Sequence, residues 1–356
     1  MSVDALLRSG GGDPPEDPGT RRRRGLRALV YVLIGVLILV LLAVAGVVLL
    51  TNQLGDQVGR YPSVFAGIDP SSRPAGKGGQ TFLLVGTDSR SSDPTTGRDA
   101  TAPDFVFGAQ RSDVIMVATV ADDGKSASVV SIPRDSWVDV PGYGMNKVNA
   151  AYSFGGPPLM IRTIEQLTRV RIDHFAVIDF AGFQQMTDAA GGIDVNVGQT
   201  TDFGGITVPA GRQHLNGAQA LAYVRQRKEL PGGDFDRVRR QQNALRALVS
   251  QSLSAGTLSS PTRAYDLVNS VTQHVGVDDS LTNTGLAELV FGLRDLRASN
   301  IEFLTVPTTG TGMEGSQSVV YLDRQAGDDL WFAVNNDQVG PWAAARPSER
   351  LSDTPR

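Results

Sequence analysis

The chain contains 356 residues, of which 41% are apolar and 20% charged, a balance typical of a globular protein with a substantial core. Its 33 Lys and Arg against 37 Asp and Glu give a formal charge of −4, which argues against a general nucleic-acid-binding protein. Cysteine is absent, which excludes a disulfide framework, a cysteine metal site and a cysteine nucleophile.

An uncharged apolar segment runs from residue 28 to 50, with the sequence ALVYVLIGVLILVLLAVAGVVLL. It is long enough to cross a bilayer core of roughly 30 Å as a helix. The arginines at 21–24 and Arg27 precede it, and arginines beside a span stay on the cytoplasmic side. We therefore predict a single-pass cell-membrane protein with a cytoplasmic N-terminus and the rest of the chain outside. A cleaved signal peptide is the alternative.

Composition divides the chain into five parts. Residues 1–27 are predicted to be a disordered cytoplasmic tail, 28–50 the transmembrane helix, and 51–78 a linker rich in Gly, Pro and Ser. Residues 79–337 are the predicted folded domain. The polar segment 338–356 is predicted to be a loose C-terminal tail.

Strand and helix patterns alternate through the folded domain. Short apolar runs predict strands at 81–87, 113–120, 126–137 and 174–180. A short hairpin region is predicted at 193–210. Helical spacing predicts helices at 158–168, 181–192, 215–225 and 236–253. This order predicts an α/β domain with a central mixed β-sheet and helices on both faces, a three-layer αβα arrangement, preceded by the one transmembrane helix.

Acidic and basic side chains follow several of these strands. Asp88 ends the first strand, Asp113 begins the second, and Arg134 follows the third. Loops at strand ends are where α/β sheets place ligands. Each carboxylate alone could equally be a turn or a cap, and Asp234 could be an ordinary helix N-cap.

A second group of arginines lies in the stretch YVRQRKELPGGDFDRVRRQQ. Arg225 and Arg227 are two residues apart and would form a fork for an anion if the segment were extended, but would diverge in a helix. A guanidinium suits phosphate oxygens better than an ammonium. Arginines beside carboxylates at several loops predict a site for phosphate and a hard divalent cation. Arg239 and Arg240 lie on the following helix, and we expect both on its solvated face.

The sequence lacks the usual nucleotide and hydrolase motifs. It contains no GxxxxGK[ST], no GxGxxG directly after a predicted strand, no GxSxG and no HExxH. The three histidines are scattered and are interpreted as structural. Nothing here supports an ATPase, a serine hydrolase or a zinc enzyme.

Five motifs in this order resemble those of the LytR–CpsA–Psr family. They are FLLVGTDSR, RSDVIMVATV, VVSIPRDSWVDVPGYGMNKVNAAYSFGG, AVIDFAGFQQMTDAAGGIDVNV and HLNGAQALAYVRQRKELPGGDFDRVRRQQ. The resemblance is dense from about Gln80 to Leu253 and weaker to about Asp337. It implies an extracytoplasmic phosphotransferase of the bacterial cell envelope. Such an enzyme takes a glycan polymer from an undecaprenyl-diphosphate carrier and attaches it to peptidoglycan through a phosphodiester.

The resemblance also implies roles for individual residues. Asp113 and Asp234 would hold Mg²⁺ (or Mn²⁺) on the diphosphate. Asp88 would lie beside the phosphates and activate the acceptor hydroxyl, with Arg134 as the second catalytic residue. The side chains implied to bind the diphosphate oxygens are Arg111, Arg134, Arg225, Arg227 and Gln241, with Arg90 and Arg237 as further candidates.

The implied partners are a polyprenyl-diphosphate-linked glycan, peptidoglycan and the membrane. The polyprenyl chain would lie in an apolar groove, for which 158–167, 175–183 and 244–253 are the candidate linings, although each could equally be core. Two alternatives stay open. One is a polyprenyl-diphosphate hydrolase with water as the acceptor, and the other is a non-enzymatic envelope regulator or binding module. The sequence does not choose among a teichoic-type polymer, an arabinogalactan and a capsule, and it assigns no role to loop 91–110.

Overall fold

The computed structural model describes residues 58–87, 112–226, 230, 234–252 and 261–354. These residues belong to one compact unit, Leu54–Arg356. The predicted cytoplasmic tail, the predicted membrane span and loop 91–110 lie outside the described residues. Among the helices that are described, none combines the length and the apolar character needed to cross a membrane.

The strands of the described part are β1 (Gly59–Tyr61), β2 (Gln80–Thr87), β3 (Ser112–Val120), β4 (Ala127–Ser131), β5 (Trp137–Val140), β6 (Gly144–Lys147), β7 (His174–Asp179), β8 (Ile193–Val197), β9 (Thr201–Phe203), β10 (Ile206–Val208), β11 (Gly211–Leu215), β12 (Val275–Asp278), β13 (Ile301–Thr305), β14 (Thr308–Glu314) and β15 (Gln317–Leu322). The α-helices are α1 (Val148–Thr168), α2 (Phe180–Ala189), α3 (Gly217–Arg225), α4 (Asp234–Ser252), α5 (Pro261–His274), α6 (Asn283–Gly292), α7 (Arg324–Asn335) and α8 (Val339–Ala345).

Seven of the described strands form the central sheet, in the order β1-β12-β7-β2-β3-β4-β13. The pairs β1–β12, β7–β2 and β4–β13 are parallel, and the other three pairs are antiparallel. The sheet is therefore mixed, as predicted. Smaller two-stranded sheets are formed by β5–β6, β8–β11, β9–β10 and β14–β15.

Both faces of the sheet are covered by helices. Successive strand residues point to opposite faces, so Leu83 and Leu84 enter different clusters. Leu83 belongs to the main core, which contains Ile161 of α1 and Trp331 of α7. Leu84 packs in a cluster that contains Leu245 of α4. The predicted three-layer α/β arrangement agrees with this packing.

Two segments expected to be loose contain packed elements. The predicted linker 51–78 contributes β1, the outermost strand of the sheet, which pairs with β12. It also contributes Val64, which is 1% exposed in the main core. The predicted tail 338–356 contributes α8, whose Trp342 is buried in the same core. Short elements in polar surroundings carry little periodic signal, and the neighbours that stabilise them are distant in sequence.

Candidate active site

One edge of the central sheet collects the ends of several strands. The parallel strands β2 and β7 end beside each other, with Thr87 the register partner of Asp179. The parallel strands β4 and β13 end together at Ser131 and Thr305. Because β3 runs antiparallel to β2 and β4, its first residues, including Asp113, begin at the same edge. Chain topology therefore brings four of the five motifs together.

Asp113 and Arg134 form an ion pair at this edge. Arg134 Nη1 donates to Asp113 Oδ1, and each side chain is 15% exposed. Arg134 Nε also lies 3.7 Å from Asp135 Oδ2, and Lys147 Nζ lies 3.0 Å from Asp135 Oδ1. Two cations and two carboxylates from β3, β6 and the loop after β4 are thus paired in one chain of contacts. The structure brings together the predicted metal ligand Asp113 and the predicted catalytic residue Arg134.

Backbone hydrogen bonds fix the loop that carries Arg134. The Ser136 N–H donates to the Pro133 carbonyl, and the Asn149 N–H donates to the Arg134 carbonyl, at 2.9 and 3.2 Å. The second bond ties the loop to the start of α1. The Arg134 side chain therefore projects from a backbone that is held at both ends.

Arg225 is the last residue of α3. An Asn216–Gln219 capping box fixes the start of that helix. The Arg225 guanidinium carbon lies 4.7 Å from the Phe180 ring centroid and 5.2 Å from the Phe203 ring centroid. Contacts of this kind orient a guanidinium by cation–π attraction. Its planar N–H groups are thereby held between the start of α2 and the β9–β10 hairpin.

Helix α4 carries several of the residues considered above. Arg237 and Gln241 are one turn apart and almost buried, with 6% and 8% exposure. Arg239 is exposed, as expected, and lies 3.4 Å from Asp236. The expectation of a solvated Arg240 is wrong, because this side chain is 0% exposed and is bonded within the protein. The helical pattern alone did not reveal that α4 is covered on this side by α3 and the β9–β10 hairpin.

An apolar cavity of about 220 Å³ lies between the sheet and helices α2, α3 and α4. Its lining is Leu84, Val85, Gly86, Val114, Met116, Ala176, Val177, Ile178, Asp179, Phe180, Phe183, Met186, Val224, Gln241, Leu245 and Val275. Of these, Asp179 and Gln241 carry polar groups into an otherwise apolar wall. Phe180 belongs to the lining and also to the Arg225 contact, which places the guanidinium next to the cavity.

Two of the three segments predicted to line a groove contribute to this cavity. Segment 175–183 supplies much of the cavity wall, and Leu245 of segment 244–253 also contributes. Segment 158–167 does not line this cavity. Its Met160, Ile161 and Ile164 are fully buried in the main core on the other face of the sheet. The sequence could not separate these cases, because core and groove positions show the same apolar spacing.

Asp179 is a site residue that the sequence analysis missed. It ends β7 as Asp88 ends the first strand pattern, so the same strand-end signal was available. Its Oδ1 accepts the Gly182 N–H at 2.8 Å and caps α2. Burial, with the nearby Asp179 charge, raises the pKa of Tyr61 to about 12. Burial lowers the pKa of His274, and the Asp179 charge partly offsets that change.

Three hydroxyl groups at the sheet edge are buried without a hydrogen-bond partner among the described residues. They belong to Thr87, Ser112 and Ser131. Thr87 and Ser112 are cross-strand partners, and Ser131 ends the adjacent β4. A buried hydroxyl left unsatisfied costs about 1–3 kcal/mol, so we expect each of these groups to meet a polar partner beyond the described residues.

The described residues fit a hard divalent cation in part. Asp113 supplies a mostly buried carboxylate beside the buried hydroxyls, and such cations are commonly held by one or two carboxylates with substrate phosphates. Asp234 begins α4, but its side chain lies outside the described residues. No cluster of three or more His, Asp or Glu side chains occurs within the ranges that are described.

The other predicted site residues are not part of the described chain. Asp88, Arg90, Arg111 and Arg227 fall in the gaps at 88–111 and 227–229. Their predicted roles therefore stay predictions.

Comparison with known proteins agrees with this architecture. The LytR_cpsA_psr family model matches residues 61–334. The cell wall biosynthesis protein LcpA of Corynebacterium glutamicum is 36% identical over 286 residues, which cover 70% of this chain and 54% of LcpA. The polyisoprenyl-teichoic acid–peptidoglycan teichoic acid transferase TagU of Enterococcus faecalis is 40% identical over 150 residues, covering 42% of this chain and 50% of TagU.

A solved structure shares the fold. The crystal structure of B. subtilis TagV aligns with a TM-score of 0.60 and 28% identity, covering 74% of this chain and 98% of TagV. The chain spans about half the length of the curated relatives it matches. The family match extends from β1 to α7 and includes every described element of the site, so this chain belongs to the LytR–CpsA–Psr family.

Proposed function

We propose that this chain is a membrane-anchored phosphotransferase. It moves a glycan polymer from an undecaprenyl-diphosphate carrier onto peptidoglycan and forms a phosphodiester link. The observation that carries this proposal is the junction of an apolar cavity with cationic and amide side chains. Such a junction suits a ligand with a hydrocarbon chain at one end and phosphates at the other.

The cavity supports the lipid part of the donor. Its wall is aliphatic and aromatic, and burial of a hydrocarbon there is favourable by about 25 cal/mol per Å². A cavity of about 220 Å³ accommodates the part of a polyprenyl chain nearest the phosphates. The rest of the chain would stay in the membrane that the predicted span at 28–50 enters.

The side chains at the cavity mouth support the diphosphate. Arg225 lies beside Phe180 of the cavity wall, and Gln241 is part of that wall. Arg134 lies at the same sheet edge and donates to Asp113. Guanidinium groups pair with phosphate oxygens through parallel N–H bonds. Arg111 and Arg227, which lie outside the described residues, are proposed to add to this set.

The proposed reaction exchanges the phosphoanhydride bond of the diphosphate for a phosphoester bond to the acceptor. A peptidoglycan sugar hydroxyl attacks the phosphorus nearest the glycan and forms a new O–P bond. The bond from that phosphorus to the bridging oxygen breaks, and undecaprenyl monophosphate leaves with the bonding electrons. The hydroxyl proton passes to a base, for which Asp88 is the candidate. Arg134 and Arg225 bind the equatorial and leaving oxygens as negative charge shifts onto them.

A divalent cation belongs to the proposal. Asp113, with Asp234, would hold Mg²⁺ or Mn²⁺ on the diphosphate. When bound, the ion would neutralise phosphate charge as a Lewis acid. Asp113 would then exchange its pairing with Arg134 for the metal, and Arg134 would turn to the phosphate.

The names of the relatives support the same substrate class. LcpA is named for cell wall biosynthesis, and TagU for transfer of teichoic acid to peptidoglycan. A glycopolymer donor and a peptidoglycan acceptor are thus proposed for this chain. The polymer itself is left open.

The test uses the full-length chain in detergent with a glycan-loaded undecaprenyl diphosphate, Mg²⁺ and peptidoglycan oligomers, and products are identified by mass. We expect a glycan–phosphate–peptidoglycan adduct from wild type, and none from Asp113→Ala or Arg134→Ala. The control is Asp329→Ala, which removes an exposed carboxylate of α7. Release of glycan phosphate without an adduct would favour the hydrolase. Equal inactivity of wild type and variants would favour a binding role.

A further inference from the structure

Arg240 is a fully buried cation that the proposed reaction does not use. Its side chain is 0% exposed, whereas the adjacent Arg239 is largely exposed. Burial lowers the pKa of Arg240, while Tyr223 and the Asp236 charge, one turn earlier, favour the charged form. Burying a charge in this way is costly, so a purely apolar residue would serve packing better. The contacts of Arg240 indicate what the charge does.

The guanidinium bonds two separate parts of the chain. Nη1 donates to Thr201 Oγ1 at 2.6 Å and to Gln226 Oε1 at 2.9 Å, and Nη2 donates to the Gln199 carbonyl at 3.3 Å. Its carbon lies 4.9 Å from the Tyr223 ring centroid. Arg240 therefore links α4 to the end of α3 and to the start of the β9–β10 hairpin.

Both parts lead directly to the phosphate-binding side chains. Gln226 follows Arg225 and is the residue between the two arginines of the predicted fork. It leaves the helical conformation, with φ −59° and ψ 128°, and its side chain is only 3% exposed. The hairpin carries Phe203, one of the two rings that flank Arg225. Arg240 thus holds the backbone on one side of Arg225 and an aromatic contact on the other.

We propose that Arg240 is a positioning residue that orients Arg225 for the diphosphate, acting through Gln226 and the β9–β10 hairpin. This inference rests on the proposed function. It separates the arginines of this stretch into two roles. Arg225 touches the ligand, and Arg240 holds the segment that presents it.

Lysine cannot replace this arginine in the same place. Its ammonium is a single point of donation on a flexible stem, whereas the planar guanidinium reaches three acceptors and packs on the Tyr223 ring. Arg240→Lys keeps the charge but loses part of this geometry. Gln226→Leu removes one acceptor and leaves Arg240 in place. Arg239→Lys makes the same exchange one position away on the exposed face, and is the matched control.

The first arm measures binding of farnesyl diphosphate to the full-length chain in detergent by calorimetry, at a temperature where every variant is folded. We expect Kd to rise about tenfold in Arg240→Lys, since tenfold corresponds to about 1.4 kcal/mol. We expect a similar rise in Gln226→Leu and none in Arg239→Lys. The double variant Arg240→Lys/Gln226→Leu should be no weaker than Arg240→Lys, because residues that act through one contact are not additive.

The second arm measures amide hydrogen exchange without ligand. We expect faster exchange in peptides covering 199–208 and 217–226 of Arg240→Lys, with α1 unchanged. If wild type fails to bind farnesyl diphosphate, the proposed function fails, and this arm alone decides the positioning role. Unchanged exchange there would overturn it.

Two other results would overturn the inference. One is wild-type affinity in Arg240→Lys, and the other is full additivity of Arg240→Lys and Gln226→Leu. If Arg240→Lys does not fold, Gln226→Leu decides the question, since weakened binding supports the role and unchanged binding overturns it.

Discussion

Replacing Asp113 by asparagine should strengthen binding of a diphosphate when no metal is present. Asp113 pairs with Arg134 in the ligand-free protein, so an incoming phosphate must compete with its carboxylate. Asparagine keeps the shape and removes the charge. The same change removes a proposed metal ligand. Affinity without Mg²⁺ and the gain from Mg²⁺ should therefore move in opposite directions.

The magnitude follows from the geometry of the pair. Unit charges about 4 Å apart interact by about 4 kcal/mol at an effective dielectric constant of 20. Ion pairs at a fully exposed surface contribute only about 0–1 kcal/mol. The Asp113 and Arg134 side chains are each 15% exposed, so we place their interaction energy between these two values. We take about 1.5 kcal/mol, within the range of hydrogen bonds between charged groups. This corresponds to about tenfold in Kd.

The assay is calorimetric titration of inorganic pyrophosphate into the full-length chain in detergent, once with EDTA and once with Mg²⁺. In EDTA, Asp113→Asn should bind about tenfold more tightly than wild type. With Mg²⁺, wild type should gain affinity and Asp113→Asn should not. The control is Asp329→Asn, which should behave as wild type. It removes a carboxylate of α7 that lies 3.4 Å from Arg346.

Two results would contradict these roles of Asp113. Weaker binding by Asp113→Asn in EDTA would mean that the carboxylate does not compete with the phosphate for Arg134. An undiminished gain from Mg²⁺ in the variant would mean that Asp113 does not hold the metal.

Three further predictions test the cavity, the core and the acid stability. Ala176→Phe should fill the cavity and weaken farnesyl diphosphate binding at least about tenfold, while calorimetry shows pyrophosphate binding unchanged; equal loss of both ligands would contradict the cavity assignment. Ile161→Val should lower the free energy of unfolding by about 0.5–1.5 kcal/mol in urea without changing farnesyl diphosphate affinity, because this residue lies in the core and not in the cavity. Burial alone would raise the pKa of Asp278, but hydrogen bonds from His174, a serine and a backbone N–H lower it below its ordinary value of 3.8. The ionised Asp278 therefore stabilises the fold fully above pH 3.8, and this contribution is lost as pH falls through the pKa of the folded state. In urea unfolding between about pH 6 and 2, the free energy of unfolding should fall less steeply with pH in Asp278→Asn than in the exposed control Asp279→Asn. Identical slopes in the two variants would contradict the linkage.

The sequence predicted those parts of the fold whose signals are local. Strand β3 and helix α4 are strongly patterned and were predicted close to their observed positions. Strand β1 has three residues and depends on its pairing with β12, more than two hundred positions later. The residues around 59–61 give no information about so distant a partner, so the sequence predicts a linker there.

Part of the site could be predicted from residue type and strand ends. Asp113 and Arg134 were both expected at the site, and the structure pairs them. Asp179 carried the same strand-end signal as Asp88 and could have been found. Arg240 could not, because burial of an arginine on a charged helix depends on which elements cover it.

In the proposed complex, one ligand occupies the apolar cavity and places its phosphates beside Arg225. A farnesyl diphosphate bearing a diazirine on its terminal isoprene tests this most directly, by irradiation with the full-length chain and mapping of the labelled peptides by mass. We expect labelling of α2 and of the Leu245 segment of α4, suppressed by unlabelled farnesyl diphosphate. Competable labelling of α1 or α7 instead, on the other face of the sheet, would contradict it.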